Sequence, residues 1–523
     1  MNPAQPTFLQ TLHMIWTGQG LSNLLPWLPA PARAALALWL PIAFKVALGL
    51  IVVGVVYRLF FSQPRNRGRH MRGSRLVIHR WPALRKSLAL DQHRLRIGGV
   101  AFPRKLESLH LLITGATGAG KSQTIQGTLD TIRGRGDTAI LTDIGSEALK
   151  GFGQSGDWLL NPLDGRSVPW SPFAEMSGPA DAERLAKSMI PDQTENERQW
   201  FVYSQALVAA VLKRLWERGE TTNAALLNAL TLAGIEELKT LVEGLPAQAL
   251  FHEGAERMLA SVRGIVGSHV APYSYLPKEA GAKSWSIRRH VREGKGWLWL
   301  SYREDQAAAL RPLLAAWIGE AVNATLSLPA DRVRRRWLML DEVASLGRVQ
   351  SLSDALTKGR KYGLCSIMGL QSVSQLRDVY GKDGAQTLLS CLSSQLILRA
   401  NDPETAEYAS QHLGECEVLR ESIAQGKHRT VTEQRHVERL VLGSEIQGLP
   451  NRIGYLRLSG QDIVRRVTIP VIKRAQNVEP FVAAKPKTDA LPPPAPPSSP
   501  PPSAPRPALD ADAILGRTPV KGK

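Results

Sequence analysis

Cysteine is scarce in this 523-residue chain. Cys365, Cys391 and Cys416 lie far apart, with no C-x-x-C pair and no histidine at ligand spacing. That spacing excludes a disulfide framework and a zinc ribbon, and it places most of the chain in a reducing compartment. Acid is in short supply as well. Asp and Glu number 46 against 65 Lys and Arg, which gives a net charge of +19 and a pI near 10.0. Such an excess favours contact with nucleic acid or anionic lipid, although a solvated arginine-rich surface has the same composition. No internal repeat is visible. Hydrophobic content of 43% is ordinary for a globular chain, and the length allows roughly two to four domains with a large core.

The strongest apolar stretch covers residues 34–57. As a helix it would span about 36 Å, enough for a tilted membrane crossing. Only Arg33 is charged before it. After it come Arg58, Arg65, Arg67, Arg69, Arg72, Arg75, Arg80, Arg85 and Lys86, with no acid among them. Positive charge on that side predicts a cytoplasmic location for the rest of the chain. A signal peptide fits poorly, since neither a charged leading segment nor a small-residue cleavage site flanks the stretch. Pro41 predicts a kink. Lys45 falls near the middle, where a bare charge costs about 3 kcal/mol or more; it either snorkels outward or meets a carboxylate. Residues 8–28 are uncharged and diluted by polar side chains, and read either as a weak first crossing or as an interfacial segment. The amino-terminal division is thus an anchor over 1–60 and a basic juxtamembrane segment over 61–93.

From residue 94 the pattern is α/β. Short apolar runs at 109–114, 138–143, 297–301, 337–341, 364–371 and 395–400 are bounded by turn residues, as buried parallel strands are. Asp402, Pro403 and Glu404 open a helix that Gly414 closes. Between 174 and 293 the period changes to that of helices. Over 196–218, Trp200, Tyr203, Ala206, Leu207, Ala210, Val211 and Leu215 recur at three- and four-residue steps, which predicts an all-α domain inserted between two α/β parts, 94–173 and 294–483. Residues 484–523 are dominated by Pro, Ala and Ser, a composition that buries no core and predicts a disordered tail. Its apolar end, 509–515, reads as a linker end or a short docking motif.

The chemistry concentrates at Gly115-Ala116-Thr117-Gly118-Ala119-Gly120-Lys121-Ser122. This is the pattern G-x-x-x-x-G-K-[ST], placed between an apolar run and a helical stretch that opens at Gln123. Glycines let backbone N–H groups turn toward phosphate oxygens, and the helix start adds partial positive charge. Lys121 is expected to reach the β- and γ-phosphates of ATP and Ser122 to hold Mg2+. The run 337–341 ends in Asp341-Glu342. Asp341 suits a second Mg2+ contact through water, and Glu342 a base that polarises the attacking water. The next run ends at Gln371, a residue able to sense the γ-phosphate or simply to face solvent. Arg360, just before that run, reads as an arginine finger acting across a subunit boundary or as a surface cation.

These residues resemble the TraD/TrwB-type coupling proteins of conjugative type IV secretion, over about 97–458. The resemblance also rests on Asn161-Pro162-Leu163-Asp164 with Trp170, Gln199-Trp200, Gly296-Trp297-Leu298, Arg360-Lys361-Tyr362-Gly363, Gln371-Ser372 and Thr405-Ala406-Glu407-Tyr408, in the family's order. It implies a RecA-like P-loop motor with an inserted all-α domain, an inner-membrane anchor and a homo-hexameric ring around single-stranded DNA. It implies DNA-stimulated ATP hydrolysis, and partners in the relaxase, other relaxosome proteins and the secretion channel. Two departures stand out: the family's first membrane crossing is poorly formed, and the run 138–143 continues Ile144-Gly145-Ser146, where many relatives carry a basic or differently polar turn. DNA contact without sequence preference predicts phosphate binding by cations and strong salt dependence. By analogy with the family, Trp200 stacks on a base; by its spacing it belongs equally to the helix's apolar face. Two other functions remain in view. One is a different P-loop translocase. The other is a membrane docking receptor for the relaxase that uses nucleotide as a structural switch.

Overall fold

The computed structural model describes residues 29–61, 69–78, 93–193, 198–425 and 429–484, with His13, Trp16 and Thr17. The Pro-rich tail beyond 484, most of the basic segment 61–93 and most of the stretch 8–28 lie outside the described residues.

A ten-stranded mixed sheet organises the chain. In chain order its strands are β1 (Arg75–Ile78), β2 (Leu111–Thr114), β3 (Thr138–Ile144), β4 (Trp158–Leu159), β5 (Leu298–Tyr302), β6 (Arg336–Leu340), β7 (Leu364–Leu370), β8 (Ser394–Ile397), β9 (Ile453–Arg457) and β10 (Ile463–Thr468). Their spatial order is β1-β10-β9-β8-β2-β7-β6-β3-β5-β4. From β8 to β4 every neighbouring pair is parallel; β9 runs antiparallel to both β8 and β10, and β1 pairs parallel with β10. Each of the six apolar runs of the sequence overlaps a strand of the parallel part.

Side-chain alternation splits the core in two. Leu112, Leu338, Leu340, Met368 and Leu370 face one hydrophobic layer, while Leu111, Ile113, Trp337, Met339 and Ile367 face the other. Both faces are covered, which is why these strands read as nearly continuous apolar runs. The second layer is closed by helix Lys121–Gly134 through Ile125, Leu129 and Ile132. The first carries helix Ala307–Leu326 and the helices that fill residues 181–293. Among the described residues of that stretch there is no strand. Its longest helix, Arg198–Arg218, buries Phe201, Ser204, Gln205, Leu207, Val208, Ala210, Val211, Leu212 and Leu215. The apolar face is therefore rotated from the expected one, and Trp200 is 38% exposed.

Helix Pro403–Leu413 forms as its ends predict. Asp402 accepts from the Glu404 and Thr405 N–H groups, Pro403 occupies the first turn, and Gly414 ends it. A hairpin of two eleven-residue strands, Glu415–Gln425 and Arg429–Arg439, follows and pairs with Arg69–Gly73 in a separate three-stranded sheet.

The expected membrane span needs correction. Among the described residues, no helix is long and apolar enough to cross a membrane. The segment is one 32-residue helix, Ala30–Phe61, with Pro41 inside it. The Lys45 amine lies over the Trp16 ring, 5.0 Å from its centroid, in a cation–π contact.

Candidate nucleotide site

The loop after β2 carries the glycine-rich motif to the carboxyl end of the parallel strands. Gly118 and Gly120 have φ of 74° and 116°, a region that disfavours any side chain, and Gly120 is the residue before helix Lys121–Gly134. Backbone bonds fix the loop from both sides. The Ala116 N–H donates to the Arg399 carbonyl at 2.7 Å, and the Arg452 N–H donates to the Ala119 carbonyl at 2.9 Å. Lys121 is buried and its amine donates to the Gly115 carbonyl at 2.8 Å. The same amine lies 3.6 Å from a Glu342 carboxylate oxygen. The side chain is thus held along the loop, so that little entropy remains to be lost when a phosphate arrives.

The β6 terminus meets the helix start here. Ser122 Oγ donates to Asp341 Oδ2 at 2.7 Å. The other oxygen, Asp341 Oδ1, is buried with no hydrogen-bond partner. A hydroxyl beside a carboxylate with one unsatisfied buried oxygen fits a hard cation such as Mg2+. Burial raises the pKa values of Asp341 and Glu342; the Ser122 bond and the Lys121 charge oppose it at Asp341, and Lys121 with the Gln371 N–H opposes it at Glu342.

Gln371 joins the group from the end of β7. Its N–H donates to Glu342 Oε1 at 3.3 Å, and its side-chain oxygen accepts from Thr117 Oγ1 at 3.2 Å. A cavity of about 520 Å³ opens beside the loop, bordered by Ser122, Gln123, Asp341, Asp143, Lys150 and Arg474. Asp143 at the end of β3 is buried, and burial raises its pKa to about 7. Its carboxylate accepts from the Ala148 and Leu149 N–H groups at 3.2 and 2.7 Å, which caps helix Glu147–Phe152.

Lys121, Ser122, Asp341, Glu342 and Gln371 therefore converge, with Thr117 among them. Arg360 does not join them. It is exposed, in the turn Gly359–Tyr362 that precedes β7, at the opposite end of the strand from Gln371. A seven-residue strand is about 23 Å long. Trp200 also lies apart, exposed on helix Arg198–Arg218 beside Tyr203, ring centroids 6.4 Å apart. Sequence reading missed Arg399, Arg452 and Asp143, which brace the loop and its neighbouring helix. Only Asp143 carried a local signal, as an acid between an apolar run and a glycine turn.

Known proteins resemble this chain in sequence and in fold. Residues 94–470 match the type IV secretion-system coupling protein DNA-binding domain family. The coupling protein TraD of Escherichia coli (strain K12) is 30% identical over 380 residues, 70% of this chain and 53% of TraD. VirD4 of Rhizobium radiobacter is 23% identical over 340 residues, 59% of this chain and 48% of VirD4. The chain thus spans about half the length of these two curated relatives. Among solved structures, the plasmid coupling protein TrwB in complex with the ATP analogue ADPNP superposes with a TM-score of 0.73 at 35% identity, over 82% of this chain and 100% of that chain. TrwB in complex with ADP and Mg2+ gives 0.72 at 35% identity, over 81% and 98%. A domain match across most of the chain, joined to structural likenesses over about four fifths of it, shows that the chain belongs to the type IV secretion-system coupling proteins.

Proposed function

We propose that this chain is an ATP-driven DNA translocase that couples a relaxase–DNA complex to a type IV secretion channel during conjugation. The observation that carries the reading is the meeting of Lys121, Ser122, Asp341, Glu342 and Gln371 at one end of the parallel sheet. Loop N–H groups and Lys121 bind and orient the phosphates of ATP. Ser122 and Asp341 hold Mg2+, which supplies neutralising charge along the phosphates. Glu342 takes a proton from the attacking water, and Gln371 orients that water near the γ-phosphate. Thr117 in the loop and Gln123 in the first turn of the following helix belong to the same nucleotide-binding group.

The remaining parts follow from the family and from the exposed side chains. The active species is a homo-hexamer, in which Arg360 of one subunit completes the site of the next. Residues 94–173 and 294–483 form the RecA-like motor, with the all-α domain 174–293 inserted between them. Trp200 stands out from the helical layer and stacks on single-stranded DNA without reading its sequence. Helix Ala30–Phe61, with exposed Leu50, Ile51, Val52 and Val53 and a basic stretch after it, associates the chain with the inner membrane, the bulk lying in the cytoplasm. Relaxosome proteins and the channel are its protein partners.

Phosphate release by the full chain in lipid nanodiscs, with and without single-stranded DNA, tests the reading. Turnover is expected to rise with DNA and to fall about 10³-fold in Lys121→Ala. A wild-type chain that binds nucleotide and hydrolyses none, with or without DNA, would refute the motor and leave the docking receptor.

A further inference from the structure

Among the described residues, the chain after β10 has no helix, and its contacts run from the phosphate loop to the far turn of the sheet. Ile469 is buried, and its N–H donates to the Arg452 carbonyl at 2.7 Å, next to the bond from Arg452 to the loop. Three residues on, the Ile472 N–H donates to the Gln123 side-chain oxygen at 2.6 Å. Arg474 pairs with Asp130 and lies over the Phe152 ring, 4.5 Å from its centroid. Asn477 then bonds twice to helix Glu147–Phe152, its N–H to the Lys150 carbonyl and its side-chain amide to the Gly151 carbonyl, both at 2.9 Å. Finally the chain is clasped at the turn after β4: the Val482 N–H donates to buried Asp164 at 3.2 Å, and the Ala484 N–H donates to the Leu163 carbonyl at 3.1 Å.

The groove is shaped for this strap. A Cβ at Gly151 would come 3.2 Å from Arg474 Cβ, and one at Gly153 would come 2.8 Å from Val478 Cγ2. Coil stretches of this kind satisfy their backbone groups through a few side chains and carbonyls, so each clasp matters. Ile472 and Arg474 also wall the cavity beside Ser122 and Asp341.

We infer that residues 469–484 are a latch that positions Gln123 and closes the wall of the nucleotide cavity, with Asn477 and Asp164 as positioning residues. The inference rests on the nucleotide-binding part of the function proposed above. Nucleotide retention then depends on the strap being seated, while the chemistry of Lys121 and Glu342 does not.

Two substitutions attack the strap from opposite sides, Asn477→Ala on the strap and Gly151→Val in the groove. In the full chain, hydrogen exchange of amides 472–478 is expected to slow when ADP and Mg2+ are added, and to quicken in both variants. The KM for ATP and the dissociation constant for ADP should rise about two- to tenfold, the effect of one lost hydrogen bond, with kcat held within about twofold. Faster exchange in a folded variant with unchanged ADP affinity would overturn the latch, as would strap amides indifferent to ADP. If one variant fails to fold, the other carries the test. A wild-type chain that binds ADP but turns over no ATP defeats the motor alone, since ADP affinity and exchange still read the strap.

Discussion

The two ends of the parallel sheet differ in what they hold and in how their charges are satisfied. At the carboxyl end, Lys121, Asp341 and Glu342 crowd around a loop, with Asp341 Oδ1 left without a partner. At the amino end, the buried acid is fully paired. Buried Glu107 receives Arg135 at 2.8 Å and Arg335 at 3.0 Å, both guanidiniums nearly closed from water. Outside that cluster, Arg104, Lys105, Arg332, Arg360 and Lys361 are exposed. One end keeps unsatisfied capacity for a ligand; the other locks the strands together and offers cations outward. Arg360 is therefore out of reach of its own chain's phosphate loop; in the proposed ring it would serve a neighbour's.

The largest effect should come from the outward cations. Arg360→Ala is expected to lower kcat about 10³-fold with ADP binding intact, and mixing it with Lys121→Ala chains should restore activity. Mixed chains that stay inactive would remove Arg360 from the site. Next comes the locked cluster. Glu107→Ala leaves buried Arg335 without its acid partner and Arg135 with only Asp137, 3.8 Å away, and should cost about 3 kcal/mol or more of stability; a denaturation midpoint equal to wild type would show that the amino end is not held by this carboxylate. At the carboxyl end, Glu342→Gln should lower kcat by about 10² while ATP binding persists. Equal loss of binding would make Glu342 a structural partner of Lys121 instead of a base.

The smallest effect concerns His110, next to β2 at the amino end. Burial lowers its pKa to about 4 from an ordinary 6.5; Nε2 lies 3.2 Å from the Leu356 carbonyl and Nδ1 accepts from the Ser366 N–H at 3.1 Å. The unfolded chain binds this proton at a higher pH than the folded one. Stability is therefore whole above about pH 6.5 and declines as pH falls toward 4. His110→Asn should flatten the loss of thermal midpoint between pH 7 and 5. His290 and His412, also lowered to about 4 by burial, keep part of the slope. An unchanged slope would clear His110 of any part in it.

What the sequence made legible was local. A loop that must wrap phosphate needs glycines in place, and a strand buried on both faces reads as an apolar run, so Gly115–Ser122, Asp341-Glu342 and six of the seven strands of the parallel part were visible, the two-residue β4 being too short to read. The hairpin strands Glu415–Gln425 and Arg429–Arg439 carry charge along their length and lack a clean two-residue apolar period. The buried face of helix Arg198–Arg218 was misplaced because polar Ser204 and Gln205 sit inside it. Ser204 Oγ bonds the Trp200 carbonyl at 2.8 Å and Gln205 the Ile190 carbonyl at 2.8 Å, so their polar groups are satisfied there. The contacts of Arg452 with the phosphate loop and of Ile472 with the helix after it join residues more than 300 positions apart, and no local pattern announces such a pairing.

The most direct test of the central claim is displacement of streptavidin from a biotinylated single-stranded oligonucleotide by the full chain in nanodiscs. Displacement that requires ATP and disappears in Glu342→Gln is the predicted result. ATP hydrolysis at full rate with no displacement above the nucleotide-free control would contradict translocation.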